Sequence, residues 1–472
     1  MDRRRGTPAD NRLPSPPPRT SEAAVTTSTP TSTLSAAWSL WALLLGVGLL
    51  MLGNGLQGSL LGVRAAEESF GNTVTGLVMS AYFVGFLAGS TLTPRKLRDV
   101  GHIRVFAALA SITSIAILVH VMFIDPWVWA AMRLMTGFAY AGLYVVTESW
   151  LNGHASNHLR GRLLAFYMVI SYLGMGGGQL LLNVADPSGI LLFLIVSILM
   201  SLALVPILLS YTPQPDTSQP EAMNLLRLYR LSPLGTLGCL LTGIANGTVF
   251  GMGAVFAANH GLETHQIAAF MGAFILGGAL FQWPLGKLSD KTDRQWVILI
   301  VAALATAFSL AGLLFDQGAS HALTLLGVLL GGTTLTLYSL FLACANDVLT
   351  PQQTVSASSS LVLALGIGAI LGPLSTGLLM DLLGSAGFLW DLALIHALIV
   401  VFGGYCLWRY PNQPSDTHGH YVAVPAGTAS LGATWVEEAA DDPVQLDLEL
   451  MEADEESSLE EGQVSTAEPG RS

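Results

Sequence analysis

Charge is what this chain has least of. Only 11% of its 472 residues are Asp, Glu, Lys or Arg, 52% are hydrophobic, and the mean hydropathy is +0.57. A water-soluble fold of this length cannot hide that much apolar surface, so the composition is that of a membrane protein. Cysteine is also scarce. Cys239, Cys344 and Cys406 all fall in apolar stretches and give no basis for a disulfide framework or a metal cluster. No glycine loop followed by Lys-Ser/Thr is present to cradle ATP phosphates, which argues against a primary pump. The scattered Ser, His and Asp residues of the loops offer no nucleophile beside a base. Neither an enzyme nor a cofactor is expected.

What the chain does have is long apolar runs. A span needs about 20 mostly apolar residues, and twelve such stretches lie near 38–62, 73–92, 104–124, 127–150, 163–184, 189–211, 234–258, 266–285, 296–315, 321–345, 356–380 and 386–408. Each must be helical, because lipid offers the backbone no hydrogen-bond partner and barrel strands would be shorter and alternate in polarity. The first run begins late and is full length, so it reads as a retained anchor rather than a signal peptide.

The runs repeat. The polar knot Gly286-Lys287-Leu288-Ser289-Asp290-Lys291-Thr292-Asp293-Arg294 has a degenerate twin starting at Pro94, 192 positions earlier (286 − 94). Asn54-Gly55 maps onto Asn246-Gly247, Gly85 onto Gly277, Gly174 onto Gly366 and Gly176 onto Gly368 at the same offset of 192. Gly137, Tyr144 and Asn152 meet Gly331, Tyr338 and Asn346 at 194, as a two-residue loop insertion would produce. A repeat of this length means duplicated domains, an organisation typical of transporters. The expected division is a cytoplasmic tail (1–34), a six-helix half (35–211), a cytoplasmic linker (212–231) with a short surface helix over Asn224–Arg230, a second six-helix half (232–410) and an acidic tail (411–472).

Basic residues fix an expected orientation, since cytoplasmic loops carry the Lys/Arg excess. Arg95, Lys96, Arg98 and Arg104, then Arg160 and Arg162, Arg227 and Arg230, and Lys287, Lys291 and Arg294 mark alternate loops, and only Arg64 breaks the pattern. Both termini are therefore expected on the cytoplasmic side of a plasma membrane. The net charge of −12 comes largely from acids between Glu437 and Glu461. That tail, like the Pro-rich N-terminal one, has the composition of a disordered segment.

These residues resemble the major facilitator superfamily over roughly 35–410. Its loop signature, Gly-x-x-x-Asp-Arg/Lys-x-Gly-Arg-Arg, is matched by Gly286, Asp290, Lys291 and Arg294, with Asp293 in place of the second glycine. The first-half copy keeps Gly101 but inverts the pair to Arg98-Asp99 and replaces the leading glycine by Pro94. Arg133-x-x-x-Gly137 looks like the family's fourth-span element, and Tyr144-x-x-x-Glu148 followed by Arg160-Gly161 like the inner end of that span in sugar-porter relatives. At finer grain, Arg133 to Asn152 is similar to the YcaD-like branch of bacterial carriers.

The resemblance implies an all-α fold of twelve transmembrane helices in two pseudo-symmetric six-helix halves. Its charged loops act as latches: an Asp facing the positive N-terminus of a helix in the other half, with bases paired to neighbouring acids, holds a mouth shut. Gly286, Asp290, Lys291 and Arg294 are the gating candidates in the second half, and Arg95, Arg98 and Asp99 in the first. Plain anchoring by positive charge is the competing reading for these bases. Glu148 is expected to pair with Arg95, Arg98 or Arg160.

Substrate candidates are polar groups within spans. Arg133 is the sharpest, because a charge inside a membrane helix is costly and functional by default. Arg133, Gly137, Tyr140, Tyr144 and Glu148 share one helical stripe. Asn54 and Gln57 lie one turn apart with Asn246 as the repeat partner of Asn54, Gln179 and Asn183 share a face, and Tyr338 repeats Tyr144. Amides in membrane helices also serve as interhelical glue, so both roles stay open for Asn54, Gln57, Gln179, Asn183 and Asn246. The glycine clusters around Gly174–Gly178 and Gly366–Gly372 read as close packing, and His396 as a packed or lipid-adjacent residue. The expected function is secondary active transport of a small organic solute by alternating access. The alternative is a non-transporting membrane sensor or scaffold with the acidic tail as its partner site. The expected partners are a small molecule and the bilayer, with no nucleic acid, and the expected state is a monomer. Proton coupling, common in such carriers, finds no midplane carboxylate in this reading.

Overall fold

The computed structural model describes residues 41–154, 157–209, 223–315 and 319–409, with no side-chain detail at 152–162, 351, 352 and 355. The two tails, residues 212–222 of the linker and the Arg160 side chain lie outside what is described. Among the described residues there are thirteen α-helices and no strand. The first six are α1 (Trp41–Glu67), α2 (Asn72–Val100), α3 (His102–Met122), α4 (Pro126–His154), α5 (Asn157–Leu181) and α6 (Leu191–Leu209). A short α7 (Leu225–Leu231) follows, then α8 (Pro233–Asn259), α9 (Thr264–Lys291), α10 (Arg294–Gly312), α11 (Ser320–Asn346), α12 (Pro351–Leu383) and α13 (Ala386–Arg409).

Setting α7 aside, eleven of the long helices are apolar enough to cross a membrane. The twelfth, α4, is long enough at 29 residues but less apolar, because Arg133, Glu148, Tyr140 and Tyr144 interrupt it. It packs inside the bundle against α2 and α3. Polarity here marks a helix shielded from lipid by its neighbours.

Glycines set the helix crossings, and they do so twice. A Cβ at Gly137 would collide with the Tyr82 carbonyl of α2, and one at Gly85 with the Leu134 carbonyl of α4. The second half repeats this at Gly331 against the Phe274 carbonyl and Gly277 against the Val328 carbonyl. Backbones this close tolerate no side chain. Gly178 likewise lies on the Leu52 carbonyl of α1, and Gly368 and Gly372 lie on the Leu240 and Ile244 carbonyls of α8, so the glycine clusters act as packing surfaces.

Both described chain ends, α7 and the Gly286–Arg294 run share one end of the bundle, the linker end. There, α2 turns into α3 through Gly101 alone at φ 92°, a left-handed conformation that favours glycine. The matching turn from α9 to α10 uses Thr292 and Asp293, and the Asp293 carboxylate caps α10 by accepting from the Gln295 N–H at 2.9 Å. The Asn224 side chain caps α7, and the Met223 backbone ties this linker segment to α12 through Ser356 and Ser360.

The opposite, far end closes the halves on each other. Asp381 of α12 accepts from the Asn72 N–H (3.3 Å), Asn72 Nδ2 (3.0 Å), the Thr73 N–H (3.0 Å) and Thr73 Oγ1 (2.5 Å), so an acid of one half caps the first turn of α2 in the other. Asn259 Nδ2 donates to Asn72 Oδ1 at 2.7 Å. Gly76 meets the Pro373 carbonyl, Gly377 meets Asn72, and Gly62 faces Ala254, all across the same seam. Arg64 is at this end too. It pairs with Glu68 at 2.6 Å and donates to the Ser188 carbonyl, so its charge is neutralised locally and its exception to the basic-loop pattern has a local cause.

Candidate functional site

Between the halves lies a cavity of ≈ 1060 Å³, counted to its open mouth, with walls supplied by α1, α2, α4 and α5 on one side and α8, α9 and α12 on the other. It brings together Asn54, Arg133, Tyr144, Gln179 and Asn246 of the sequence candidates. The outermost of these, Asn54 and Asn246, are 192 residues apart (246 − 54) in the chain. The helix bundle closes that distance.

Arg133 owes its place to Gly137. One turn away, that glycine lets α4 touch α2, and the Tyr82 ring comes to lie under the guanidinium with Cζ 4.3 Å from its centroid. A cation over an aromatic face is worth about 0.5–2 kcal/mol, more when water is excluded. Arg133 is only 4% exposed. Among the described residues it has no carboxylate in ion-pair range, and its Nε has no hydrogen-bond acceptor.

The amides divide. Gln179 accepts from Ser59 Oγ at 2.5 Å and donates from Nε2 to the Gly55 carbonyl at 2.9 Å, which makes it glue between α1 and α5 at the cavity wall. Asn54 donates to the Tyr144 hydroxyl at 3.0 Å, and Tyr144 also reaches Met51 Sδ at 3.5 Å. Asn246 lines the wall from the other half, and its buried Oδ1 has no partner among the described residues.

Four candidates fall elsewhere. Gln57 is fully buried behind the wall, where its Oε1 accepts from the Tyr140 hydroxyl at 3.3 Å. Tyr140 is two turns along α4 from Arg133, and seven residues bring a side chain back to within about 20° of its starting direction. It nevertheless stays out of the cavity lining, because its hydroxyl is taken up between Gln57 of α1 and Met200 Sδ of α6, the latter at 3.5 Å. Asn183 is exposed in the 3₁₀ turn Leu182–Val184 that follows α5, since the helix ends before its face can carry that side chain inward. Tyr338 is buried in α11, off the cavity lining. Sequence reading does not single out Tyr82, Phe83, Phe86 or Phe250, all of which line the cavity. An aromatic residue in an apolar span gives no signal of which way it faces.

At the linker end, Arg294 is 2% exposed and binds two acids: Nη1 reaches Asp347 at 2.7 and 2.8 Å, and Nη2 reaches Asp290 Oδ1 at 2.9 Å. These contacts join the ends of α9, α10 and α11 within one half. The acid that caps a helix of the other half is Asp381, at the far mouth. Gly286 is buried and Lys291 exposed. In the first half Arg95, Arg98 and Asp99 are exposed, and His102, in the place of Arg294, contacts Ser149 Oγ at 3.0 Å. Glu148 is fully buried and accepts from the Tyr167 hydroxyl at 3.5 Å.

A second buried acid lies off the cavity. Asp391 of α13 is 2% exposed, and its Oδ2 accepts from Thr376 (2.6 Å), Thr248 (2.8 Å) and Ser375 (3.2 Å). His396 is packed, with Nδ1 2.7 Å from the Leu392 carbonyl and Nε2 3.2 Å from Thr334 Oγ1.

The Major Facilitator Superfamily model matches residues 43–272 and 235–435. The chain is 29% identical over 341 residues to the "Uncharacterized MFS-type transporter YcaD" of Escherichia coli O6:K15:H31, covering 72% of this chain and 88% of that protein. The Salmonella heidelberg protein of the same name is 29% identical over 343 residues, with the same coverage of 72% and 88%. Among solved structures, the nucleoside transporter NupG is similar with a TM-score of 0.64 at 14% identity, over 79% of this chain and 100% of that one. A bacterial homologue of the human lysosomal transporter Spinster, in an inward-facing and unoccupied conformation, gives 0.62 at 15% identity over 88% and 100%.

Proposed function

Since the chain belongs to the major facilitator superfamily and is a multi-pass membrane transporter, we propose that it carries a small organic solute by alternating access, rocking its two halves about the central cavity. The observation that carries this reading is the cluster of cross-half contacts at the far end, beyond the cavity, where Asp381 holds Asn72 and Thr73 and Gly76 meets the Pro373 carbonyl; Ser80 Oγ donates to the Ile370 carbonyl at 2.7 Å further in. Tyr172 Oη also donates across the halves to Gln282 Oε1 at 2.8 Å, on the linker side of the midpoint of α9. The basic residues of the linker end support its assignment to the cytoplasmic side of a bacterial inner membrane, which makes the far-end cluster the outer contact of the two halves in this reading.

The test has two parts. Flux of a labelled solute panel into proteoliposomes identifies a carried compound, with nucleosides included because one structural neighbour is named for them. A Thr73→Cys/Asp381→Cys pair then locks the far mouth under oxidant. Transport should stop on crosslinking and return on reduction. Undiminished flux through the locked protein would rule out alternating access.

A further inference from the structure

Resting on the reading of the cavity as the transport site, we infer that its solute is an organic anion with a flat apolar body, its anionic group held by Arg133. Arg133 is the one Lys, Arg, Asp or Glu among the residues lining the cavity. A buried arginine that serves structure looks different in this same protein, since Arg294, about as buried, holds Asp290 and Asp347. Arg133 has the Tyr82 face and, among the described residues, no acid.

A ring face offsets only part of the cost of taking a guanidinium out of water. The planar fork is shaped to accept a carboxylate through two N–H donors, and an anion entering the cavity supplies what the protein does not. A cation would meet repulsion, and a neutral solute would leave the charge unmatched.

The rest of the wall describes the body. Phe83, Phe86 and Phe250, with Met175 and Met271, make an apolar surface suited to a flat ring, and Asn246 adds a polar edge to the same wall.

The probes are 2-naphthoate, 2-naphthamide and 2-naphthyltrimethylammonium, which share one body and differ in charge. Each is titrated into the full-length protein in detergent. Naphthoate should bind at least about tenfold more tightly than naphthamide, the range expected for a charge-assisted hydrogen bond. Arg133→Gln should collapse that ratio to about one, and Arg133→Lys should keep part of it, having the charge without the fork. Unfolding temperature without ligand confirms that the variants are folded. Equal or tighter binding of the amide or the ammonium, no naphthoate binding at millimolar concentration, a ratio that survives Arg133→Gln, or equal competition by inorganic phosphate would each overturn the proposal. Anion-selective binding without flux in proteoliposomes would leave the site standing and overturn the transport reading. Flux confined to neutral solutes would do the reverse.

Discussion

The two halves share their joints and differ in their chemistry. Gly85 and Gly137 pack α2 on α4 as Gly277 and Gly331 pack α9 on α11, each glycine against a backbone carbonyl of its partner helix. Yet Tyr82 and Arg133 of the first pair correspond to Phe274 and Gly327 of the second, at offsets of 192 and 194. At the linker end the asymmetry is reversed: Arg294 with its two carboxylates has His102 with a serine hydroxyl as its counterpart in the first half. Packing geometry tolerates little change in either copy, whereas polar groups placed on it diverged, with the cation of the cavity in one half and the ion network of the rim in the other.

The largest effect should come from breaking that rim. Arg294→Ala strands two acids and should cost about 3–5 kcal/mol, against about 1–3 kcal/mol for His102→Ala, which loses a neutral hydrogen bond and a buried ring packed on Trp150; thermal unfolding in detergent reads both. In a flux assay on proteoliposomes, Asp290→Asn should disturb transport more than Asp99→Asn, and equal losses would reduce the loop motif to a topology signal. Next, Gly137→Val and Gly331→Val should each destabilise by about 3 kcal/mol or more through overpacking, because the added Cβ meets a backbone carbonyl. A large difference between them would show that the crossings are not equivalent. Asp381→Ala should cost about 1–2 kcal/mol at the far seam, seen as faster amide exchange at Asn72 and Thr73; unchanged exchange there would mean that the cap does not hold the mouth. Smallest in its effect on the solute, Tyr140→Phe should cost about 1–2 kcal/mol by taking the donor from the buried Gln57 Oε1 and leave solute affinity unaltered, because its hydroxyl lies off the cavity.

Much of this architecture is legible in the residues. The offset of 192 exposes the duplication, and the mid-span position of Arg133 marks it for the cavity. Side-chain partners are harder to read, because they lie far apart in the chain. Asp381 reads only as an acid near a span end until Asn72, 309 residues away, is placed beside it. Asp391 sits inside the last span, and sequence reading passes over it; its three hydroxyl donors come from α8 and α12. The cavity aromatics are illegible for another reason, since lipid-facing and cavity-facing rings have the same composition. Helical periodicity puts Tyr140 on the Arg133 stripe, but it carries no information on which neighbouring helices take up the hydroxyl at that depth.

The lone guanidinium in the cavity has an electrical consequence. A fixed positive charge that changes sides of the barrier is subject to the membrane potential, at about 2.3 kcal/mol per unit charge for each 100 mV crossed. Loaded with the monovalent anion proposed above, the cavity would be neutral and the same movement nearly indifferent to voltage. Voltage would then act on the return of the empty carrier, and so set the direction of cycling without any coupling ion.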